Sequence, residues 1–403
     1  MAAVLPASSS SERAVYVVQL NIVLYAFAYQ LQRPVEPFLV KSLSEGADAA
    51  TVAATYGRLQ SFFQMAQTVG SPIVGALLDR WGPRRCSVLV FGCCAASYAI
   101  LAAATSLRDL FLAKAAATLQ AGFLVAQAGV ATATADAPAA VRAAALGRLT
   151  TAYTIGATVG PALGGVLGAS GDLYRGARLA VFFSLVSVAL SCLLPGGVVA
   201  KTTAAASKGG VARTLDIATR PAVLPLLLTK VIGSVAASMH GTAFPLVMTQ
   251  RLGLDAKALG AAMSASSIAV AVLGAFGMQP LVATLGPRAC SRLGLAARAG
   301  LATSFAALVG AAASVDGAAA SGSALQMLVG CSVLHAIAAH VLATSLTTQS
   351  TGAVAKDEQG ALLGLEHALF AGARVVGPVL STSLLAAGGI TAVAGACAAV
   401  DAS

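Results

Sequence analysis

Ionisable side chains inside long apolar stretches are the first candidates for chemistry in this chain. Glu366 lies in an apolar run, with His367 beside it and Arg374 two helical turns further along. A charged side chain at the centre of a bilayer costs at least about 2.5 kcal/mol, so each such residue is a candidate for function. Desolvation disfavours the charged form of a carboxyl group. Glu366 is therefore a candidate proton carrier, and capping of its own helix is the alternative.

Other ionisable residues complete this set. Glu36, between two prolines at the end of the first apolar run, is the second acidic candidate. Lys114, Lys230 and Arg374 are candidates for substrate binding or gating. Long basic side chains can instead carry their charge to the membrane surface. The remaining basic and imidazole side chains in apolar runs are Arg58, Arg298, His240, His335 and His340.

The charges inside the apolar runs are mostly positive. Five basic residues accompany Glu366, the only carboxylate that lies well inside a run. This balance favours an anionic or neutral substrate, unless aromatic rings bind a cation. The aromatic candidates, for which ordinary packing is the alternative, are Tyr25, Phe27, Tyr29, Phe62, Phe63 and Phe244.

The composition is that of a membrane protein. Of 403 residues, 58% are hydrophobic and 10% charged, and the mean hydropathy is +0.84. A soluble protein carries about 25% charged residues, and no segment has the broad polar face of a water-exposed helix. Twelve apolar runs can cross a core of about 30 Å. They lie at 14–33, 52–77, 86–106, 109–135, 145–169, 178–195, 222–249, 258–282, 290–313, 322–349, 360–386 and 388–401.

These runs predict an all-α membrane protein in two halves. A tail at 1–13 precedes a first six-helix bundle at 14–195. A basic linker at 196–221 leads to a second bundle at 222–403. The last helix is predicted to be short or truncated, because about 13 helical residues reach only about 20 Å.

Basic residues in the loops predict the orientation. Loops after even-numbered spans hold more Lys and Arg than the others, which places both termini in the cytoplasm. The even-loop residues include Arg80, Arg84, Arg85, Arg142, Arg148, Lys201, Lys208, Arg213, Arg220, Arg288, Arg292 and Lys356. This asymmetry accounts for the net charge of +10 and requires no nucleic-acid partner. The polar start predicts an uncleaved first span, and the seven cysteines have no zinc-binding spacing.

Glycine and proline are dense in the fifth span. Gly156, Gly160, Pro161, Gly164 and Gly165 lie within ten residues. In water, Pro inside a helix costs about 3 kcal/mol and Gly about 1, but in a membrane small residues let helix backbones touch. We expect close packing and a bend here.

An internal repeat supports the two halves. Gly160 and Pro161 of span five correspond to Gly377 and Pro378 of span eleven. Gly82-Pro-Arg after span two likewise has a counterpart in Gly286-Pro-Arg after span eight. Agreement at two separate places makes chance the weaker explanation.

The loop that closes span two carries a specific motif. It contains, in order, Gly75, Asp79, Arg80, Gly82, Arg84 and Arg85. This motif resembles the signature loop between helices two and three of the major facilitator superfamily. The Gly-Pro motif of span five resembles that of the drug:proton antiporters in the same superfamily. The resemblance implies twelve helices in two pseudo-symmetric bundles, a central cavity, alternating access, and gating roles for both sets of residues and for Gly377 and Pro378.

A closer similarity involves the solute carrier family 22 member 18 group, also called organic cation transporter-like protein 2. It rests on Arg142 to Leu149, on Lys230, and on the segments around Gly364 and Arg374. The group implies export of drugs or organic cations by proton antiport. Two departures are Lys114 where the antiporters carry Arg, and the absence of an acid before Gly286.

The sequence predicts a transporter and not an enzyme, since it contains no Ser/His/acid set, metal cluster or phosphate loop. We expect no cofactor, a proton gradient as the energy source, and a monomer in the plasma membrane or an internal membrane. The alternatives are an uncoupled facilitator of a neutral or anionic metabolite, and a transporter-derived scaffold or receptor.

Overall fold

A computed structural model describes residues 9–134, 137, 139–195, 210–313, 322–355 and 358–402. All regular elements in these ranges are helical, which confirms the predicted fold class. The α-helices are α1 (Ser9–Gln32), α2 (Glu36–Ser42), α3 (Ala49–Ala102), α4 (Leu107–Ala116), α5 (Gly122–Ala133), α6 (Ala139–Ala169), α7 (Arg175–Cys192), α8 (Gly210–Thr219), α9 (Leu224–Gln250), α10 (Ala256–Val272), α11 (Met278–Ala313), α12 (Gly322–Gly352) and α13 (Gln359–Ala402).

Glycines break three of the longest helices. Gly82 in α3 has a φ of 73° and Gly286 in α11 a φ of 78°. Gly389 in α13 has a φ of 64°. L-residues with side chains rarely adopt this left-handed backbone, so each glycine ends one helical segment and starts the next.

The breaks relate the observed helices to the predicted spans. Eight helical stretches in the described residues are long and apolar enough to cross a membrane. Three of them, Ala49–Ala102, Ala256–Ala311 and Leu365–Asp401, contain a glycine break and hold two predicted spans each. With α6, which holds span 145–169, all twelve predicted spans fall mainly on helical segments.

Two short helices were not predicted. α2 has 7 residues, and α8, with 10 residues, lies inside the predicted linker. The rest of that linker up to residue 209, with Lys201 and Lys208, lies outside the described residues, as does Lys356.

The chain forms two compact units. The first contains Met1–Glu36 and Ala66–Ala204, and the second Pro37–Met65 and Ala205–Ser403. Residues 37–65 thus group with the second unit in this structure, and the predicted division at the linker stays a prediction.

The first unit is organised around α1. This helix packs against α5, α6 and α7. Its apolar core includes Val18 and Ile22 of α1, Val130 of α5 and Leu149 of α6. α1 therefore holds the Gly-rich helix in place.

The second unit is organised around α9, α11 and α13. α13 packs along α9 and α11, and α11 also packs against α12. Two apolar clusters, one around Leu259 and Leu328 and one around Met239 and Ala302, fill the space between these helices.

Candidate functional site

Lys230 and Glu366 form a buried ion pair in the second unit. The Nζ of Lys230 on α9 lies 2.5 Å from the Oε1 of Glu366 on α13. Only 3% of the lysine side chain and 4% of the glutamate side chain are exposed. Two residues that the sequence indicated separately are therefore partners.

Ser350 of α12 completes this site. Its hydroxyl accepts a hydrogen bond from Lys230 Nζ and donates one to Glu366 Oε1, each at 2.8 Å. Ser350 is fully buried. Buried charges are tolerated when they are paired and hydrogen-bonded, and here three helices supply the partners. A proton on Glu366 would remove the charge that holds Lys230.

A second ion pair lies in the first unit. Glu36 in the first turn of α2 pairs with Lys114 in the last turn of α4. The glutamate side chain is 10% exposed and the lysine side chain 15%. An acid at a helix N-terminus and a base at a C-terminus both interact favourably with the helix dipoles. The structure thus also pairs these two predicted candidates.

The other predicted residues of α13 do not join the first ion pair. His367 and Arg374 are both exposed, whereas Glu366 is buried. The structure brings Glu366 to Lys230 and not to Arg374, although Glu366 and Arg374 are two turns apart.

The second unit also contains a buried polar cluster, in which Asp401 joins three residues that the sequence already indicated, Arg298, His240 and His335. Arg298 Nη2 lies 3.3 Å from Asp401 Oδ1 and donates a hydrogen bond to the Gly233 carbonyl at 3.0 Å. The imidazoles of His240 and His335 stack with centroids 3.9 Å apart. Asp401, at the end of the last predicted span, is therefore a second buried carboxylate of this unit, in addition to Glu366. It was not among the predicted candidates, because it ends the last span, which is predicted to be short or truncated.

The glycines of span five contact α1 directly. A Cβ at Gly156 would lie 2.6 Å from the Cβ of Ala26, and one at Gly160 2.6 Å from the Cβ of Gln30. A Cβ at Gly164 would overlap the Leu31 carbonyl. Pro161 and Gly165 are buried in the same helix. The expected close packing is present, with α1 as the partner.

Span eleven makes a corresponding contact in the second unit. A Cβ at Gly377 would overlap the side chain of Ser238 on α9. Pro378 follows it and is buried. One turn later, the Ser381 hydroxyl donates a 2.8 Å hydrogen bond to the Met239 carbonyl.

The charged residues of the signature loop are exposed. This holds for Asp79, Arg80, Arg84 and Arg85. Gly82 provides the break at the end of the segment, but a Cβ at Gly75 would meet no described atom within 4 Å. Gly75 therefore has open space at its Cβ position in this structure.

Several aromatic candidates have packing partners. The Tyr25 hydroxyl donates a hydrogen bond to the Gln120 carbonyl at 3.1 Å. Phe27 packs edge-on against Phe183 at 5.5 Å between ring centroids. Phe244 lies in the apolar cluster around Leu259. These contacts agree with the packing alternative for these rings.

A surface ion pair anchors α8 to the second unit. Two guanidinium nitrogens of Arg220 donate 2.8 Å hydrogen bonds to the two carboxylate oxygens of Glu358. These bonds, and a further one to Asp216, raise the pKa of Arg220 above its ordinary value. Ile217 of α8 is fully buried beside Leu362. Part of the predicted linker is thus held on the start of α13.

Comparison with known proteins identifies the family. Residues 20–234 match the model of the Major Facilitator Superfamily. Solute carrier family 22 member 18 of Mus musculus is 29% identical over 247 residues, 58% of this chain and 59% of that protein. The class G tetracycline resistance protein of Vibrio anguillarum is 35% identical over 155 residues, 38% of each chain. The matches thus cover less than two thirds of these relatives.

Solved structures show the same fold. The nucleoside transporter NupG has a TM-score of 0.71 at 13% identity, with 98% of this chain and 96% of that chain covered. The human organic anion transporter MFSD10 has a TM-score of 0.63 at 20% identity, with 97% and 98% covered. These similarities confirm the predicted fold, and the family match confirms the predicted resemblance, a multi-pass membrane location, and a place in a transporter family rather than an enzyme family. The chain belongs to the Major Facilitator Superfamily.

Proposed function

We propose that this protein is a secondary active transporter of small organic solutes of the drug or organic-cation type. It works by alternating access, and solute export is coupled to proton entry. The observation that carries the proposal is the buried Lys230–Glu366 ion pair with Ser350 between its members.

The ion pair supplies a group whose charge can change during the cycle. In the paired state Glu366 is ionised and neutralises Lys230. A proton on Glu366 removes one charge and leaves Lys230 with the Ser350 hydroxyl alone, so the contact that joins α9, α12 and α13 weakens. Breaking one side of a buried pair costs about 3–5 kcal/mol, which is enough to favour a different arrangement of these helices. Glu36 and Lys114 are candidates for the same role in the first unit.

In this proposal, the helices move against each other at the Gly-Pro contacts. Helices that touch along Gly156, Gly160 and Gly164 can rock against α1 without side chains between them. The same gating role is proposed for Pro161, Gly165, Gly377 and Pro378. In the signature loop, Gly75 and Gly82 shape the chain, and Asp79, Arg80, Arg84 and Arg85 hold one state closed.

We infer the setting from the superfamily and from the loop charges, which support it without testing it. The carrier lies in the plasma membrane or an internal membrane with both termini in the cytoplasm. It works as a monomer without a cofactor or nucleic-acid partner, and the proton gradient drives it. His367 and Arg374, both exposed on α13, are secondary candidates for substrate contact.

An uncoupled facilitator of a neutral or anionic metabolite is the second candidate. The excess of basic residues in the apolar runs favours it. A transporter-derived scaffold is the third, and a solute that raises the melting temperature of the purified protein would count against it.

Transport by proteoliposomes under an imposed pH gradient tests the proposal. We expect the gradient to drive accumulation of tetracycline or ethidium, and Glu366→Gln to abolish the pH-dependent part. Glu45→Gln, the same change at an exposed site between α2 and α3, is the control and should transport like the wild type. A flux of uridine or p-aminohippurate that is changed neither by the pH gradient nor by Glu366→Gln would favour the facilitator.

A further inference from the structure

The last helical segment contributes a buried carboxylate that the proposed coupling pair does not use. Asp401 lies beyond the Gly389 break of α13, and its side chain is 0% exposed. The Arg298 side chain opposite it is 3% exposed. The two charged atoms nearest each other, Arg298 Nη2 and Asp401 Oδ1, are 3.3 Å apart.

This pair is incompletely hydrogen-bonded. The two carboxylate oxygens of Asp401 and the Nε of Arg298 have no hydrogen-bond partner among the described residues. The pair differs in this respect from Lys230–Glu366, where Ser350 bridges the charges. An ionised carboxylate out of water without hydrogen bonds is costly. A proton on one oxygen removes that charge, while the guanidinium of Arg298 favours the ionised form, so the two effects oppose each other.

Among the described residues, few other titratable groups surround the pair. Cys397 lies one turn before Asp401 and interacts with both charges. The charge of Arg298 also reaches His240 on α9 and His335 on α12. His335 is buried, and its Nδ1 has no hydrogen-bond partner in the described part of the chain.

The backbone of α9 makes room for the guanidinium. A Cβ at Gly233 would lie 3.3 Å from Arg298 Nη1, and the Gly233 carbonyl accepts the hydrogen bond from Nη2. Arg298 therefore keeps one partner when Asp401 changes its charge.

We propose that Asp401 is a proton-binding site of this carrier and that Arg298 is the positioning residue that holds its ionised form. Binding adds one proton to one carboxylate oxygen and leaves Arg298 charged. That this proton is exchanged for solute rests on the proposed function. The site lies on the last helical segment and is separate from Glu366.

Infrared difference spectroscopy of the purified full chain tests proton binding without a substrate. The spectra are recorded between neutral and acidic pH, and the carboxylic-acid C=O band is followed. We expect a component of the wild-type band that is lost in Asp401→Asn and kept in Glu366→Gln, which removes only the contribution of Glu366. Arg298→Gln should shift the band to higher pH, because the charge that favours the carboxylate is gone. A purely structural role of Arg298 would not move it.

Asp401→Asn leaves Arg298 buried without its counter-charge and can fail to fold. The double variant Arg298→Gln/Asp401→Asn removes both charges and serves in its place. A band of wild-type intensity in either variant would overturn the proposal, as would the absence of any carboxyl band that Asp401→Asn removes.

Tetracycline flux in proteoliposomes separates this inference from the proposed function. If the wild type shows gradient-driven flux and the double variant loses the pH dependence, Asp401 carries the exchanged proton. If the double variant keeps the full pH dependence, that role is wrong and the proposed function stands. If the wild-type flux does not depend on the pH gradient while the Asp401 component of the infrared band titrates, the proposed function fails and proton binding at Asp401 remains.

Discussion

The two units build the same helix contact in the same register. In the first unit Gly160 of α6 lies against Gln30 of α1, and in the second Gly377 of α13 lies against Ser238 of α9. A shift of 217 positions (377 − 160) relates the glycines, and one of 208 (238 − 30) relates their partners. The contact is therefore repeated between the units.

One turn later the two contacts differ. The same shifts relate Gly164 to Ser381 and Leu31 to Met239. In the first unit a Cβ at Gly164 would overlap the Leu31 carbonyl, whereas in the second unit the Ser381 hydroxyl donates a 2.8 Å hydrogen bond to the Met239 carbonyl. The first contact thus depends on having no side chain, and the second on having a specific one.

Replacing Gly164 tests this difference most strongly. Gly164→Ala places a Cβ on the Leu31 backbone, which cannot rotate away. We expect destabilisation by about 3 kcal/mol, the upper part of the range for overpacking, measured as thermal unfolding of the detergent-purified protein. Gly147→Ala is the control, because its Cβ would meet open space in the same helix. Equal melting temperatures for the two variants would show that the backbones are not in contact.

Replacing Gly377 should have a smaller and reversible effect. The obstacle to Gly377→Ala is mainly the side chain of Ser238, and the next atom is the Val235 carbonyl at 3.3 Å. We expect a loss of about 1–2 kcal/mol, measured as thermal unfolding. Much of it should return in the double variant Gly377→Ala/Ser238→Gly.

Gly372→Ala is the matched control, since a Cβ there would meet no described atom within 4 Å. A double variant no more stable than Gly377→Ala alone would place the steric conflict somewhere other than Ser238.

Removing the Ser381 hydroxyl should have the smallest effect. Ser381→Ala deletes one buried hydrogen bond without adding volume, and we expect a loss of about 0.5–1.5 kcal/mol in the same unfolding assay. Ser71→Ala removes an exposed hydroxyl that bonds only within its own helix and serves as the control. A loss at Ser381 as large as that at Gly164 would mean that the two contacts are held in the same way.

The sequence was sufficient for most of the membrane helices, although the predicted span 109–135 is divided between α4 and α5. Their apolar runs are set by the thickness of the bilayer, and the Gly-Pro breaks at 82 and 286 are visible as dipeptides. α2 and α8 were missed because helices of 7 and 10 residues do not need a long apolar run.

The pairing of the charges could not be predicted. Lys230 and Glu366 are 136 positions apart, and nothing local indicates that α9 and α13 bring them together. Their chemistry was predicted from the cost of burying each charge alone. Asp401 is also a charged residue in an apolar run, but it ends a predicted span that is too short to cross the bilayer.

The Gly-Pro breaks leave no spare residues between the helical segments that they join. At Gly82 and Gly286 one helical segment ends and the next begins at the following proline, with no intervening loop. An epitope tag inserted at either position would have to unwind the flanking turns before it could emerge. The five residues between α6 and α7, from Ser170 to Tyr174, offer a connection that can be lengthened instead, so reporter insertions for mapping sidedness belong there.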